Sequence, residues 1–334
     1  MTATGPDQGS GFVERVRGLA TAFQGSRVFL TAVELDLFSV LQDEERTSAE
    51  VASAIDASPR ATDRLMNALV ALGLLEKRGA RFRNTPDGRR LLVRGRPEFM
   101  ANLAHSNHLW DTWSGLTGVV RTGRPVPRGP IDSRGDDWLR SFIAAMHWRG
   151  GEAARAVLPL IDLEGVSRVL DVGGGSGVFS MAFVRQSAGV NAVVFDLPSV
   201  GPVARNYIRT AGLDGAIEVV EGDYTRDDLP GGFDLVFLSA IIHSNGPDEN
   251  ARLIAKAAKA LSPGGRVVVV DWVMTPDRTA PAQGALFAIN MLVGTDEGDT
   301  FTEAEVRAWM SEAGLARISR RDTPLGTTLM TGWR

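Results

Sequence analysis

The stretch Val169–Ser180, VLDVGGGSGVFS, places four glycines in the five positions 173–177, directly behind an apolar run. Glycine loses more backbone freedom on folding than any other residue. Such density is kept where a chain turns through left-handed conformations or lets something approach its backbone. A strand entering a bare turn that opens a helix begins a βαβ unit. The residues that follow keep this rhythm. SRVLDVG, NAVVFDL, AIEVVEGD, FDLVFLS and GRVVVVDWV are five apolar runs bounded by Gly, Pro or Asp, separated by the helical patterns GVFSMAFVRQ, GPVARNYIRTAG and DENARLIAKAAKAL. Strands alternating with helices predict an α/β fold with a doubly wound, mostly parallel sheet. The tail, ARISRRDTPLGTTLMTGWR, reads as two strands about a turn at Pro324–Gly326, an antiparallel hairpin on one sheet edge.

The first half has a different rhythm. FVERVRGLATAF and RVFLTAVELDLFSVL place apolar residues three and four apart, the period of helices with one buried face. The segment from Thr47 then reads as a helix, a turn at Ala57–Pro59, a second helix to about Leu72 and a short β-ribbon, LLEKRGARFRNT. Thr47 with Glu50 forms a capping-box pattern, Gly73 suits a helix C-terminus, and Gly79 suits the ribbon's turn. This is a winged-helix arrangement. A DNA reader needs Lys and Arg along its second helix, whereas this one offers only Arg60 and Arg64 on a mostly apolar sequence. A dimerisation or lid role fits better. At 334 residues the chain predicts more than one domain: a helical winged-helix dimerisation domain over 11–100, connector and pocket helices over 101–160, and a ligand-binding α/β domain over 161–334. A net charge of -4 gives no reason to expect nucleic acid, and the absence of Cys excludes disulfides and thiolate-ligated metal. The polar N-terminus MTATGPDQGSGF and the lack of a long apolar run point to a cytoplasmic protein with no membrane partner.

In a doubly wound sheet, ligands bind beyond the C-terminal strand ends. A dinucleotide fingerprint counted from Gly173 lacks its third glycine at Val178; counted from Gly175 it ends on the small residue Ser180. A phosphate-binding P-loop is excluded, since no Lys-Ser or Lys-Thr pair follows. Acidic residues recur at three strand ends: Asp171 before the turn, Asp196 in place to accept ribose hydroxyls, and Asp223, where a carboxylate can accept from an adenine amino group beside Tyr224. Singly, each is also a helix-capping choice. Together they would repel a pyrophosphate and suit S-adenosylmethionine, which carries an ammonium, a sulfonium and a neutral adenosine.

RVLDVGGGSGVFS, VFDLPSV, EGDY, FDLVFLSAIIHSNGPDEN and LSPGGRVVVVDWV resemble, in order, the motifs of class I small-molecule O-methyltransferases that carry an N-terminal winged-helix dimerisation domain. The resemblance runs from about Gly11 to Arg334. It implies that Gly173, Gly174 and Gly175 contact the methionine portion of the cofactor, with Asp171 beside them. Asp196 and Leu197 would hold the ribose, Asp223 and Tyr224 the adenine, and Ser239 would lie near the cofactor. FIAAMHWRG resembles a pocket helix of the family, placing Phe142 and Met146 against acceptor and methyl group; His147 adjoins them, and Phe287 and Met291 are further wall candidates. A homodimer formed through 11–40 and neighbouring helices is expected.

Methyl transfer needs a free lone pair on the acceptor, and a phenol of pKa about 10 keeps its proton at neutral pH. A neutral imidazole within reach can take it. His243 follows the fourth strand of the α/β half, at the family's base position. Asp271, 28 residues later at the end of the fifth, is the first candidate to steer it, and Glu305 the second, with Glu303 as the alternative. Thr302 and Glu305 also form a capping-box pattern. Two departures stand out: His243-Ser-Asn-Gly-Pro-Asp-Glu lacks the family's usual Trp and has one extra residue, and Phe301 replaces a frequent Arg. His105 and His108 lie three apart without a carboxylate at matching spacing, so no metal is expected. The sequence thus predicts an S-adenosylmethionine-dependent O-methyltransferase acting on an aromatic or polyketide-like hydroxyl. The alternative is a relative that binds the same cofactor but hydroxylates, decarboxylates or rearranges its substrate.

Overall fold

The computed structural model describes residues 8–127 and 135–334. Residues 1–7, in the polar N-terminus, and 128–134, within the expected connector, lie outside that description. The chain divides between Asn107 and His108 into two compact units.

In the first unit, α1 (Gln8–Glu34) is one continuous helix where the periodicity predicted two, because Gly25 and Ser26 sit mid-helix without breaking it. The break comes at Asp36, whose φ of 50° starts α2 (Leu37–Leu41). Then follow β1 (Arg46–Thr47), α3 (Ser48–Ala54), α4 (Pro59–Ala71), β2 (Leu75–Arg78), β3 (Arg81–Asn84) and α5 (Pro86–Leu91). The Thr47 hydroxyl accepts from the Glu50 amide while the Glu50 carboxylate accepts from the Thr47 amide, the predicted capping box. α4 ends as expected at Gly73, φ 72°, with Gly73 N–H donating to Val70 O and Leu74 N–H to Leu69 O. β2 and β3 are the ribbon; β1 joins as a third strand in the order β1-β3-β2, too short at two residues to leave a periodic signal. Phe38, Val51, Met66, Leu69 and Phe82 are buried at the centre of this unit.

Helix α6 (Leu103–Ser114) crosses the division, and α7 (Leu116–Thr122) and α8 (Asp136–Val157) follow. The α/β elements are β4 (Arg168–Val172), α9 (Val178–Gln186), β5 (Asn191–Asp196), α10 (Gly201–Thr210), β6 (Ile217–Glu221), β7 (Phe233–Ser239), α11 (Pro247–Ala260) and β8 (Leu261–Asp271). Beyond them come β9 (Val273–Met274), α12 (Ala282–Gly294), β10 (Phe301–Thr302), α13 (Glu303–Glu312), β11 (Ala316–Asp322) and β12 (Thr328–Trp333). The main sheet runs β11-β12-β8-β7-β4-β5-β6. Strands β4 to β8 are mutually parallel; β12 is antiparallel to β8 and to β11, giving the expected edge hairpin. Alternate residues feed opposite layers: Val169, Leu235, Phe237 and Val268 pack on one side, Leu170, Val236, Leu238 and Val267 on the other. With helices on both faces, both sets are buried, so the strands read as unbroken apolar runs. Among the described residues no helix is long and apolar enough to cross a membrane.

Candidate active site

Strand order reverses between β4 and β7, and both strands end on the same edge. Val172 is level with Leu238, so the Gly173–Gly177 turn and Ser239 emerge side by side. Gly173, Gly175 and Gly177 have φ of 66°, 58° and 74°, conformations that strain any residue with a Cβ. A Cβ on Gly173 would collide with Ile241 Cδ1, and one on Gly174 would meet Asp171 Cγ at 2.8 Å. The glycines are thus explained largely by the protein's own backbone and packing; at Gly175 a Cβ would find only Ile143, at 3.8 Å.

Asp171 lies beneath this turn, 2% exposed, and accepts from the Ser180 hydroxyl at 2.8 Å. Burial drives its carboxyl up to about 7, against the opposing Ser180 hydrogen bonds. Asp196 ends β5, where its carboxylate accepts from the amides of Gly175 at 2.7 Å and Leu197 at 2.8 Å. Burial pushes Asp196 up to about 6, despite those two amides. Among the described residues no Lys or Arg acts on either group. Two carboxylates lacking counter-cations beside an open turn form a donor set suited to a cationic ligand and hostile to a phosphate. Asp223 is turned to its own loop, accepting from the Thr225 amide and hydroxyl at 2.9 and 2.7 Å with Arg226 at 3.5 Å. Tyr224 donates its hydroxyl to Asn245 at 2.9 Å, and burial, then Glu249, raises its pKa.

Beyond β7 the chain passes through Ala240, left-handed at φ 54°, into a short 3-10 turn, Ile242–Ser244, that carries His243. Because β7 and β8 are parallel neighbours with Ser239 level with Val270, Asp271 reaches that same strand end. His243 Nδ1 lies 2.9 Å from both Asp271 carboxylate oxygens. Asp271 also accepts from the Trp272 amide and, at 3.4 Å, from the His243 amide. The Asp271 side chain is 2% exposed and that of His243 12%. The Nδ1–H therefore points at a buried carboxylate, which fixes the tautomer whose Nε2 can accept a proton. Phe287 of α12 stands edge-on to the imidazole, with centroids 4.7 Å apart at 86°.

Neither Glu305 nor Glu303 is among the hydrogen-bond partners of His243. Glu305 accepts from the Thr302 amide at 2.8 Å and hydroxyl at 2.7 Å, and from Arg278 at 2.7 and 2.9 Å. Burial raises its pKa, but Thr302 and Arg278 outweigh that and hold it below the usual glutamate range. Glu303 is bonded by Arg307 and Arg320. Glu305 thus completes the capping box at the start of α13, while the hydrogen-bond partner of the His243 ring is Asp271.

On α8, Phe142 stacks on Trp138 at 5.1 Å, and Met146 is half-buried. His147 is turned to Ser176 and Tyr207. On α12, Met291 is buried, and neighbouring Asn290 accepts from the Trp113 indole at 2.9 Å. Among the described residues no three His, Asp or Glu side chains cluster as metal ligands.

The family model described as an O-methyltransferase domain matches residues 132–316, more than half of the chain, and that of an O-methyltransferase dimerisation domain matches 18–94. The chain belongs to the O-methyltransferase family. This makes it an enzyme of the S-adenosylmethionine-dependent class. A 3-hydroxy-5-methyl-1-naphthoate 3-O-methyltransferase from Streptomyces sahachiroi is 32% identical over 306 residues, covering 90% of this chain and 88% of its own. A tetracenomycin polyketide synthesis 8-O-methyl transferase from Streptomyces glaucescens is 33% identical over 307 residues, 90% of each chain. The solved structure of human N-acetylserotonin methyltransferase in complex with SAM matches with a TM-score of 0.86 at 26% identity, over 100% of this chain and 99% of that one.

The methyltransferase also holds a buried polar pair beside the site that sequence reasoning missed. Asn245 and Asn250 are almost fully buried and run a hydrogen-bond chain from Tyr224 through Asn245 and Asn250 to the Ile242 carbonyl. That chain ties the Asp223–Tyr224 loop to the turn bearing His243. The signal was the polar run SNGPDEN after the histidine, read only as a departure.

Proposed function

We propose that this methyltransferase moves the methyl group of S-adenosylmethionine to a hydroxyl of an aromatic or polyketide-like small molecule, with His243 as general base. The observation carrying this reading is the His243–Asp271 pair beside Phe287, on the strand edge that also bears the glycine turn and Asp196. When bound, the cofactor supplies a methyl group on a sulfonium, and displacement there needs an unprotonated lone pair on the acceptor. His243 Nε2 takes the hydroxyl proton as the oxygen–carbon bond forms. Asp271 keeps Nδ1 protonated and stabilises the imidazolium. Asp196 and Leu197 would hold the ribose, Asp223 and Tyr224 the adenine, and Gly173–Gly175 with Asp171 and Ser239 would line the methionine side. Phe142, Met146, Phe287 and Met291 offer apolar walls, and such walls favour an aromatic acceptor. The naphthoate and polyketide named for the two Streptomyces relatives belong to the same chemical class.

The test is incubation with methyl-labelled S-adenosylmethionine and a panel of hydroxylated aromatics. Label on oxygen in the product supports the reading; consumption of acceptor without label transfer rejects it for the non-methylating alternative.

We further propose a homodimer, active in the cytoplasm. Phe12, Val16, Leu19 and Phe23 recur along one face of α1 and stay 46–74% exposed, more apolar surface than one helix leaves in water. The expected light-scattering mass is twice 35.8 kDa; a monomer at micromolar concentration rules the dimer out.

A further inference from the structure

One face of α8 is seated on the glycine turn and the helix behind it. Ile143 approaches Gly175 to within 3.8 Å of a virtual Cβ, and Gly150 has no side chain where Val178 Cγ1 would lie 2.5 Å from one. Between them, at the i+4 position of that same face, stands His147. Its Nδ1 shares a hydrogen bond of 2.9 Å with Ser176 Oγ, inside the turn. Its ring lies on that of Tyr207 in α10, with centroids 4.2 Å apart at 26°. Ser176 is 2% exposed, and His147 is the hydrogen-bond partner of its hydroxyl among the described residues. The two flanking contacts are apolar and non-directional, so they tolerate sliding and rotation. The hydrogen bond between them does not. Burial favours the neutral imidazole, so the ring brings no buried charge to the turn.

We propose that His147 is a positioning residue that couples the acceptor-facing side of α8 to the cofactor turn through Ser176. The proposal rests on the function argued above, in which Phe142 and Met146 face the acceptor and the turn holds the cofactor. Ordering of the turn by cofactor fixes Ser176, Ser176 fixes His147, and His147 sets the rotation of the helix that carries the acceptor wall. Cofactor occupancy then tightens acceptor binding, and the acceptor tightens cofactor binding by the same factor.

The test uses His147→Ala, Ser176→Ala and the double variant, with S-adenosylhomocysteine affinity read by calorimetry and acceptor KM read by label transfer. Each single change is expected to weaken S-adenosylhomocysteine binding and raise acceptor KM, each by about fivefold, the loss of one hydrogen bond. The double variant should be no worse than either single. His147→Asn, which keeps a hydrogen-bonding group near Ser176, should recover part of both values, and it serves as the readable variant should the alanine changes unfold. Independent, multiplying effects of the two alanine changes, or no recovery with Asn, overturn the coupling alone. Failure of the wild type to bind S-adenosylhomocysteine overturns the functional reading and the coupling with it.

Discussion

Replacing His243 by Ala is expected to lower turnover by about 10²–10⁴-fold, the usual contribution of a positioned general base. The imidazole is the group that Asp271 orients, so its loss leaves the acceptor hydroxyl without a proton acceptor. S-adenosylhomocysteine affinity should change less than twofold, since the ring is held by Asp271 and Phe287. The residual activity should rise about tenfold per pH unit toward the acceptor's own pKa near 10, because ionised phenol no longer needs a base. Asp271→Asn keeps the shape of the pair but removes its charge and turns one accepting oxygen into an NH2 donor, which can hold the imidazole in the wrong tautomer. Its rate should fall steeply as well. Stopped-time label transfer at several pH values reads the two rates and the pH slope, and calorimetry reads the affinity. Unchanged turnover in His243→Ala would falsify the base assignment while leaving the cofactor site standing.

The second large effect falls on binding. Asp196→Asn should weaken cofactor affinity by about 10–100-fold at pH 8, the cost of losing charge-assisted hydrogen bonds to two hydroxyls. Burial pushes the wild-type carboxyl up to about 6. Bound hydroxyls and a cationic ligand favour its ionised form, so affinity should be level above that pH and fall as pH drops through it, by up to tenfold per unit. The Asn variant loses this slope. Without ligand the sign reverses. A raised carboxyl pKa means the folded state holds the proton more tightly than the unfolded chain does, so the stability it confers is present at low pH and is lost as pH rises through about 6. The ligand-free Asn variant keeps one oxygen for the two amides that Asp196 accepts from, so it should lose the pH dependence of melting near 6 while binding worse. Calorimetric titration and melting between pH 5 and 8 check both halves; equal affinities at pH 8 would remove Asp196 from the cofactor site.

Much of the architecture was readable because the parallel strands are buried on both faces. Their apolar runs end in Gly, Pro or Asp, and the five strands and their helices emerge where those runs stop. The pairing of His243 with Asp271 was readable for the same reason: neighbouring parallel strands bring their C-terminal ends level, so 28 residues of separation vanish. Other features left no such trace. A two-residue strand such as β1 has no period. Gly25 and Ser26 look like a helix break, yet α1 continues through them. Thr302 and Glu305 fit a cap and a catalytic partner equally well in sequence; only the structure shows Glu305 bonded to Thr302 in the capping geometry and to Arg278. The meaning of the glycine turn was half readable. Its place beside the ligand edge followed from the strand before it, but the pressure of Ile241 and Asp171 on Gly173 and Gly174 is a property of packing.

Strand β12 lies inside the sheet, between β8 and β11, and its Thr328 is paired with Asp271 itself. The carboxylate hydrogen-bonded to the imidazole is thus mounted on a strand whose outer edge is covered by residues more than fifty positions along the chain. Clipping or loosening the 323–327 loop would loosen the strand paired with Asp271, and is expected to lower activity if His243 and Asp271 act as proposed. Engineers choosing a fusion point or seeking a silent surface to redesign should treat that remote hairpin as a foundation of the chemistry.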